Sequence, residues 1–210
     1  MKKGKFQKQR NKSFALLLAL VLLIGCIAGG TIAWLIAESK TVTNTFVAGQ
    51  VGELTLKENN AEIEKNEYVI VPGVNIPKDP KVSYAPAKGN DVEKVPVYVF
   101  VKITADEWTK SDNTYSMISG DKTMMSWTVA DEWKLVPGET DVYYIAVAKG
   151  NSITDQEIIE GSTITVNSTT VNEDNIEDLA DASDLEFSVY AIQQGGFEGD
   201  PAAAWTALNP

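Results

Sequence analysis

The sequence predicts an all-β domain, an antiparallel β-sandwich with short helical insertions, preceded by an N-terminal signal or transmembrane helix. Three observations predict it. From Thr41 onward, about eight apolar runs of strand length alternate with turn dipeptides such as Pro72-Gly73, Pro137-Gly138 and Gly195-Gly196. Only two short stretches have helical spacing, near Ile176 and from Pro201. The first 37 residues have a different composition altogether: a basic start, an apolar run and small residues near its exit.

The leader opens with Lys2, Lys3, Lys5, Lys8, Arg10 and Lys12 and no acidic residue. Phe14 to Ala37 is apolar throughout, long enough to cross a bilayer, and the basic flank orients its C-terminal side outward. Gly25, Gly29, Gly30 and Thr31 weaken a continuous helix at its outer end. Small residues at Thr31 and Ala33 predict cleavage between Ala33 and Trp34, dividing the chain into a signal peptide, 1–33, and an extracellular domain, 34–210. Two alternatives stay open: a lipobox-like Leu23-Ile24-Gly25-Cys26 that would place an acyl group on Cys26, and an uncleaved anchor.

The elements follow in order. ESKTVTNTFVAGQVGELTL reads as the first strand, with Phe46, Val51, Leu54 and Leu56 as apolar contacts and a bend at Gly49 and Gly52. EIEKNEYVIV is expected as a strand closed by Pro72-Gly73, and the Pro-, Lys- and Asp-rich PKDPKVSYAPAKGND as an edge strand and loop. VPVYVFVKI is the strongest strand, with Val95, Val97, Val99, Val101 and Ile103 on one face and Tyr98 and Phe100 on the other, so both faces need cover. ADEWTKSDNTYSMISGDKTMM is polar and is expected as a loop with a short helix. SWTVADEWKLV, TDVYYIAVAKG and STITVNST are further strands, NEDNIEDLADASD a short surface helix, and LEFSVYAIQQGGF the last strand. Pro201 starts a closing helix whose Trp205 and Leu208 face inward.

Charge and residue usage exclude several functions. Six of the 18 basic residues leave with the leader, so the domain keeps 12 against 29 acidic residues, a formal charge of −17. Such a surface repels nucleic acid and anionic lipid, so no nucleic-acid partner is expected, and the membrane is a partner only through the signal segment before cleavage. Cys26 lies in the leader, leaving the domain without disulfides or thiol chemistry. The chain has no His, which removes His-based zinc sites, His triads and the commonest general base. The carboxylate pairs Asp106-Glu107 and Asp131-Glu132 read as solvated loops, Asn172 to Asp178 lacks the spacing of a calcium loop, and Asn167-Ser168-Thr169 reads as a strand end. Trp108, Trp127, Trp133 and Trp205 fall on different elements, which favours core positions over a glycan groove. Hence no enzyme, no catalytic residue, no metal ligand and no cofactor is expected.

AGGTIAWL followed by TVTNTFVAGQVGELTLKE, then IVPGVNIPKDPKVSY, VPVYVFVKI and EFSVYAIQQGGF...AAAWTAL, resembles the TasA/camelysin-like family of exported Gram-positive proteins with a SipW-type signal peptide. The resemblance covers nearly the whole chain. It implies a jelly-roll variant of the sandwich, a dedicated signal peptidase acting at Ala33 and Trp34, and a place on the cell surface or in a biofilm matrix. Camelysin is classed as a metallopeptidase, and here the His-free chain departs from that label. The resemblance also implies self-association into fibres by strand donation. The segment fitted to it carries Thr41, Val42, Thr43, Thr45, Phe46, Val47, Val51 and Leu54. The competing expectation is a non-polymerising surface module that binds a glycan or a host surface, with the same segment as the domain's own first strand.

Overall fold

The chain from Glu53 alternates short extended runs with tight turns, and it folds accordingly into antiparallel sheets. The computed structural model describes the strand Ile36–Ser39 and residues 51–208, apart from 60, 62–66, 89–93, 177–178, 180–183 and 198. In chain order the strands are β1 (Ile36–Ser39), β2 (Glu53–Lys57), β3 (Ile76–Pro77), β4 (Lys81–Ala85), β5 (Val97–Thr104), β6 (Thr109–Ser111) and β7 (Thr114–Ser119). They continue with β8 (Lys122–Thr128), β9 (Lys134–Leu135), β10 (Val142–Val147), β11 (Ile153–Glu157), β12 (Thr163–Val166) and β13 (Glu186–Gln193). A 3-10 turn (Glu160–Ser162) precedes β12, and a helix α1 (Pro201–Leu208) follows β13. Three sheets result, ordered β1-β13-β5-β10-β9, β11-β4-β2 and β3-β12-β8-β7-β6.

One core joins them in a sandwich-like arrangement. Val97, Val99, Val101, Ile103, Phe187, Val189, Ala191 and Tyr143 come from the first sheet, Leu54, Leu56, Val82 and Tyr84 from the second, and Ile76, Ile164, Val166, Tyr115, Met117, Met125 and Trp127 from the third. β5 shows why both faces of its run are apolar. Its odd-numbered residues enter this core, while Tyr98 and Phe100 are buried on the opposite face. There α1 lays Trp205 against Phe100 (ring centroids 5.4 Å) and Tyr190 (5.3 Å). Pro201, Ala204 and Trp205 are the buried residues of that helix and Leu208, one turn further on, is half-buried, so one helical stripe faces inward.

Four expectations need correction. Ala105–Met125 forms no loop with a helix: it builds β6, β7 and most of β8, a meander whose turns use Asp112 (φ 53°) and Gly120 (φ 64°). Its polar residues had hidden a half-buried strand, since in TYSMIS only Tyr115 and Met117 face the core. KVSYA, expected at an edge, is the central strand of its sheet, with Val82 and Tyr84 buried. The prolines that suggested an edge, Pro80 and Pro86, flank β4 and leave its ladder intact. In EIEKNEYVIV the described residues 67–70 are not strand; Val71 only bridges Val74 across the Pro72-Gly73 turn. β11, in the unassigned NSITDQE run, was not anticipated because Asp155 and its exposed neighbours break the alternation.

Candidate functional site

The structure divides the long N-terminal strand of the sequence reading into separate pieces. Val51 and Leu54 are buried in the domain's own core, and β2 pairs in register with β4 from Glu53↔Ala85 to Lys57↔Lys81. Gly52 fixes the entry to β2, because a Cβ there would lie 1.7 Å from the Ala85 carbonyl oxygen. Its N–H donates to the Tyr84 hydroxyl at 3.4 Å, and burial raises that phenol's pKa. The signal-cleavage pair Ala33 and Trp34, and Thr41, Val42, Thr43, Thr45, Phe46 and Val47 of the donor segment, lie outside the described residues. Upstream of that segment, β1 takes the outer position of the five-stranded sheet beside β13.

That position is the distinctive edge of the fold. β13 runs for eight residues in unbroken register with β5, from Glu186↔Thr104 to Gln193↔Val97, but β1 is only four residues long. The described ends of the sheets elsewhere are unsuited to adding a strand. β9 and β3 have two residues each, β3 ending in Pro77, and β6 has three. β11 shifts register between Ile153 and Gln156, with Asp155 at φ 46°. On β2, Leu54, Thr55 and Leu56 are all buried, so both of its faces are covered.

Two polar clusters pin the sheets beside this framework. Lys78 is buried against the Tyr68 and Phe187 rings (5.0 and 5.7 Å) and pairs with Glu58 at 2.8 Å, whose same oxygen accepts the Tyr68 hydroxyl at 2.6 Å. The second cluster ties the meander to the start of β10. Lys110 lies over the Tyr115 and Tyr143 rings (5.5 and 4.7 Å) and donates to the Thr140 carbonyl, while Tyr115 donates to Asp141 at 2.7 Å. Burial lowers the Lys110 pKa against the opposing pull of Asp141. Burial, then the bond to Asp141, raises Tyr115 far above the usual phenol range; burial also pushes Tyr143 up to about 12, against the opposing pull of the Tyr115 hydroxyl. Sequence reasoning missed both clusters, because the linking pairs Glu58–Lys78, Tyr115–Asp141 and Lys110–Thr140 stand 20, 26 and 30 residues apart with no local motif to join them.

The other sequence candidates fall into structural roles. Trp108, Trp127, Trp133 and Trp205 are all buried: Trp127 stacks on Tyr115 (4.4 Å) and Trp133 donates to the Glu157 carbonyl (2.7 Å). Asn167 spends its amide on the Thr123 carbonyl (3.1 Å) and its oxygen on Thr169, which is the strand-end role expected of it. Asn172 caps Asp174 through its side-chain oxygen, and Asn175 Oδ1 accepts from the Asn172 N–H. Asp106, Glu107, Asp131 and Glu132 are exposed on turns. Comparison with family models, curated proteins and solved structures finds no match for this chain.

Proposed function

We propose that this chain is an exported structural subunit of the cell surface or extracellular matrix, which assembles when the N-terminal segment of one copy adds to β13 of the next. The observation that carries the reading is β13 itself: an eight-residue strand in unbroken register with β5 whose outer partner is a four-residue strand from the N-terminal segment. Strand addition draws affinity from main-chain hydrogen bonds and specificity from alternate side chains. Phe46, the largest apolar side chain of the segment, is the anchor in this scheme. Residues 1–33 act as the signal, a dedicated peptidase cuts after Ala33, and the strands wind as a jelly roll. Because Val51 and Leu54 are held in the core, exchange is confined to residues upstream of Val51. An acidic, cysteine-free, His-free domain suits a scaffold outside the cell better than a catalyst.

The test compares the mature protein from Trp34 with a form lacking 34–44, which removes β1 and keeps Phe46. The full mature form should lengthen into fibres, and the truncated one should stay folded and monomeric. Monomers from both at high concentration would instead favour the surface binding module. Intact mass should place the mature N-terminus at or near Trp34; a diacylated species beginning at Cys26 would overturn that assignment.

A further inference from the structure

The turn into β12 holds a serine in an unusual state. Gly161 and Ser162 are both left-handed, at φ 62° and 52°. Glycine adopts that conformation freely, whereas serine does so under strain. Ser162 is held there from both sides: its N–H donates to the Ile159 carbonyl (3.0 Å) and its carbonyl accepts the Lys78 N–H (2.9 Å). The next residue, Thr163, is already in register with Pro77 of β3. The Ser162 hydroxyl is buried and has no hydrogen-bond partner, although buried hydroxyls are normally bonded. The Thr163 hydroxyl donates to the Gly161 carbonyl oxygen at 2.9 Å. Gly161 is exposed, with nothing within 4 Å of the place a Cβ would take, so the turn itself is open to water.

A left-handed serine, an idle hydroxyl on that residue and a donor on the preceding carbonyl oxygen thus meet at one linkage. We propose that the Gly161–Ser162 bond cleaves itself through an N-to-O acyl shift. Ser162 Oγ attacks the Gly161 carbonyl carbon; the C–O bond forms, the C–N bond breaks, and the hydroxyl proton ends on the released Ser162 amine. Water then hydrolyses the ester, freeing the Gly161 carboxylate and restoring the serine hydroxyl. Thr163 Oγ1 stabilises the oxygen as negative charge builds on it, and the left-handed strain is released with the bond. No oxidant or cofactor enters. The two pieces stay together after cleavage, since β12 is bonded to β3 on one side and β8 on the other. This inference is independent of the assembly reading.

The purified full chain, kept at neutral pH with protease inhibitors, is followed by denaturing gel and intact mass, with and without hydroxylamine. Two pieces should accumulate whose masses add to the parent plus one water, the C-terminal one beginning at Ser162. Hydroxylamine should speed the break and leave a hydroxamate on Gly161. Ser162→Ala should abolish cleavage, Ser162→Cys should keep it, and Thr163→Val should slow it about a hundredfold. If Ser162→Ala does not fold, the Ser162→Cys and Thr163→Val forms decide. A wild-type chain that stays whole under both conditions overturns the proposal. So does cleavage that persists in Ser162→Ala, runs at an unchanged rate in Thr163→Val, or falls at another bond.

Discussion

Gly52 shows how one residue's missing side chain fixes a strand. The Ala85 carbonyl occupies the space a Cβ needs, and backbone cannot swing aside as a flexible side chain does. Gly52→Ala is therefore expected to cost about 3 kcal/mol in a urea titration, at the upper end for overpacking. Lys78 is the opposite case, a buried charge held by one carboxylate and two aromatic rings. Lys78→Met alone strands Glu58 and should cost about 3–5 kcal/mol, while adding Glu58→Leu should recover most of it. Tyr143 is one of three buried phenols, with Tyr84 and Tyr115, that limit alkaline stability. Its folded pKa is raised to about 12 from 10.0, so between those values the unfolded chain loses the proton first and stability falls as pH rises. Below about pH 10 both states keep the proton and nothing is lost. Lys110, with its lowered pKa, works in the opposite sense, and Asp141 is the neighbouring acid. Tyr143→Phe should move part of the loss of circular dichroism to higher pH, with stability near neutral pH little changed.

Elements succeed or fail as readings according to how many of their faces are buried. β5 has two buried faces and was plain in the sequence; β7 has one, diluted by Thr and Ser, and looked like a loop. The Asp112 and Gly120 turns were the available signal, with a small or polar residue in each place where the backbone turns left-handed. α1 belongs to β5 and β13 more than to itself, since its role is to roof Phe100 and Tyr190. Trp205→Ala should destabilise the domain by about 3–5 kcal/mol and raise binding of an apolar fluorescent dye, because the outer face of β5 opens to water. A dye signal unchanged from wild type would mean that the helix is dispensable cover.

At the scale of the whole molecule, one hydrophobic core runs through all three sheets, so thermal unfolding should be a single transition by both far- and near-ultraviolet circular dichroism. Residues 34–210 contain no cysteine, so reductant should leave the midpoint of that domain unmoved. With no imidazole and no thiolate, any zinc would rest on carboxylates, which suit harder ions. Chelator-sensitive proteolysis that survives repurification would contradict the scaffold reading.

The sequence by itself determined the all-β class, the place of the strongest strand, and the turns at Pro72, Pro137 and Gly195. Those are local matters, set by two-residue periodicity, turn residues and composition. Tertiary structure alone decided which strand is central and which is edge: β4, bracketed by prolines, is inside, while β13, with Phe187, Val189, Ala191 and Ile192 buried, has a side paired only with β1. It alone brought Glu58 to Lys78 and Tyr115 to Asp141, and left the Ser162 hydroxyl buried without a bond. Strand order and side-chain partners are long-range choices, made by the packing of the whole core. No window of sequence contains both halves of such a contact.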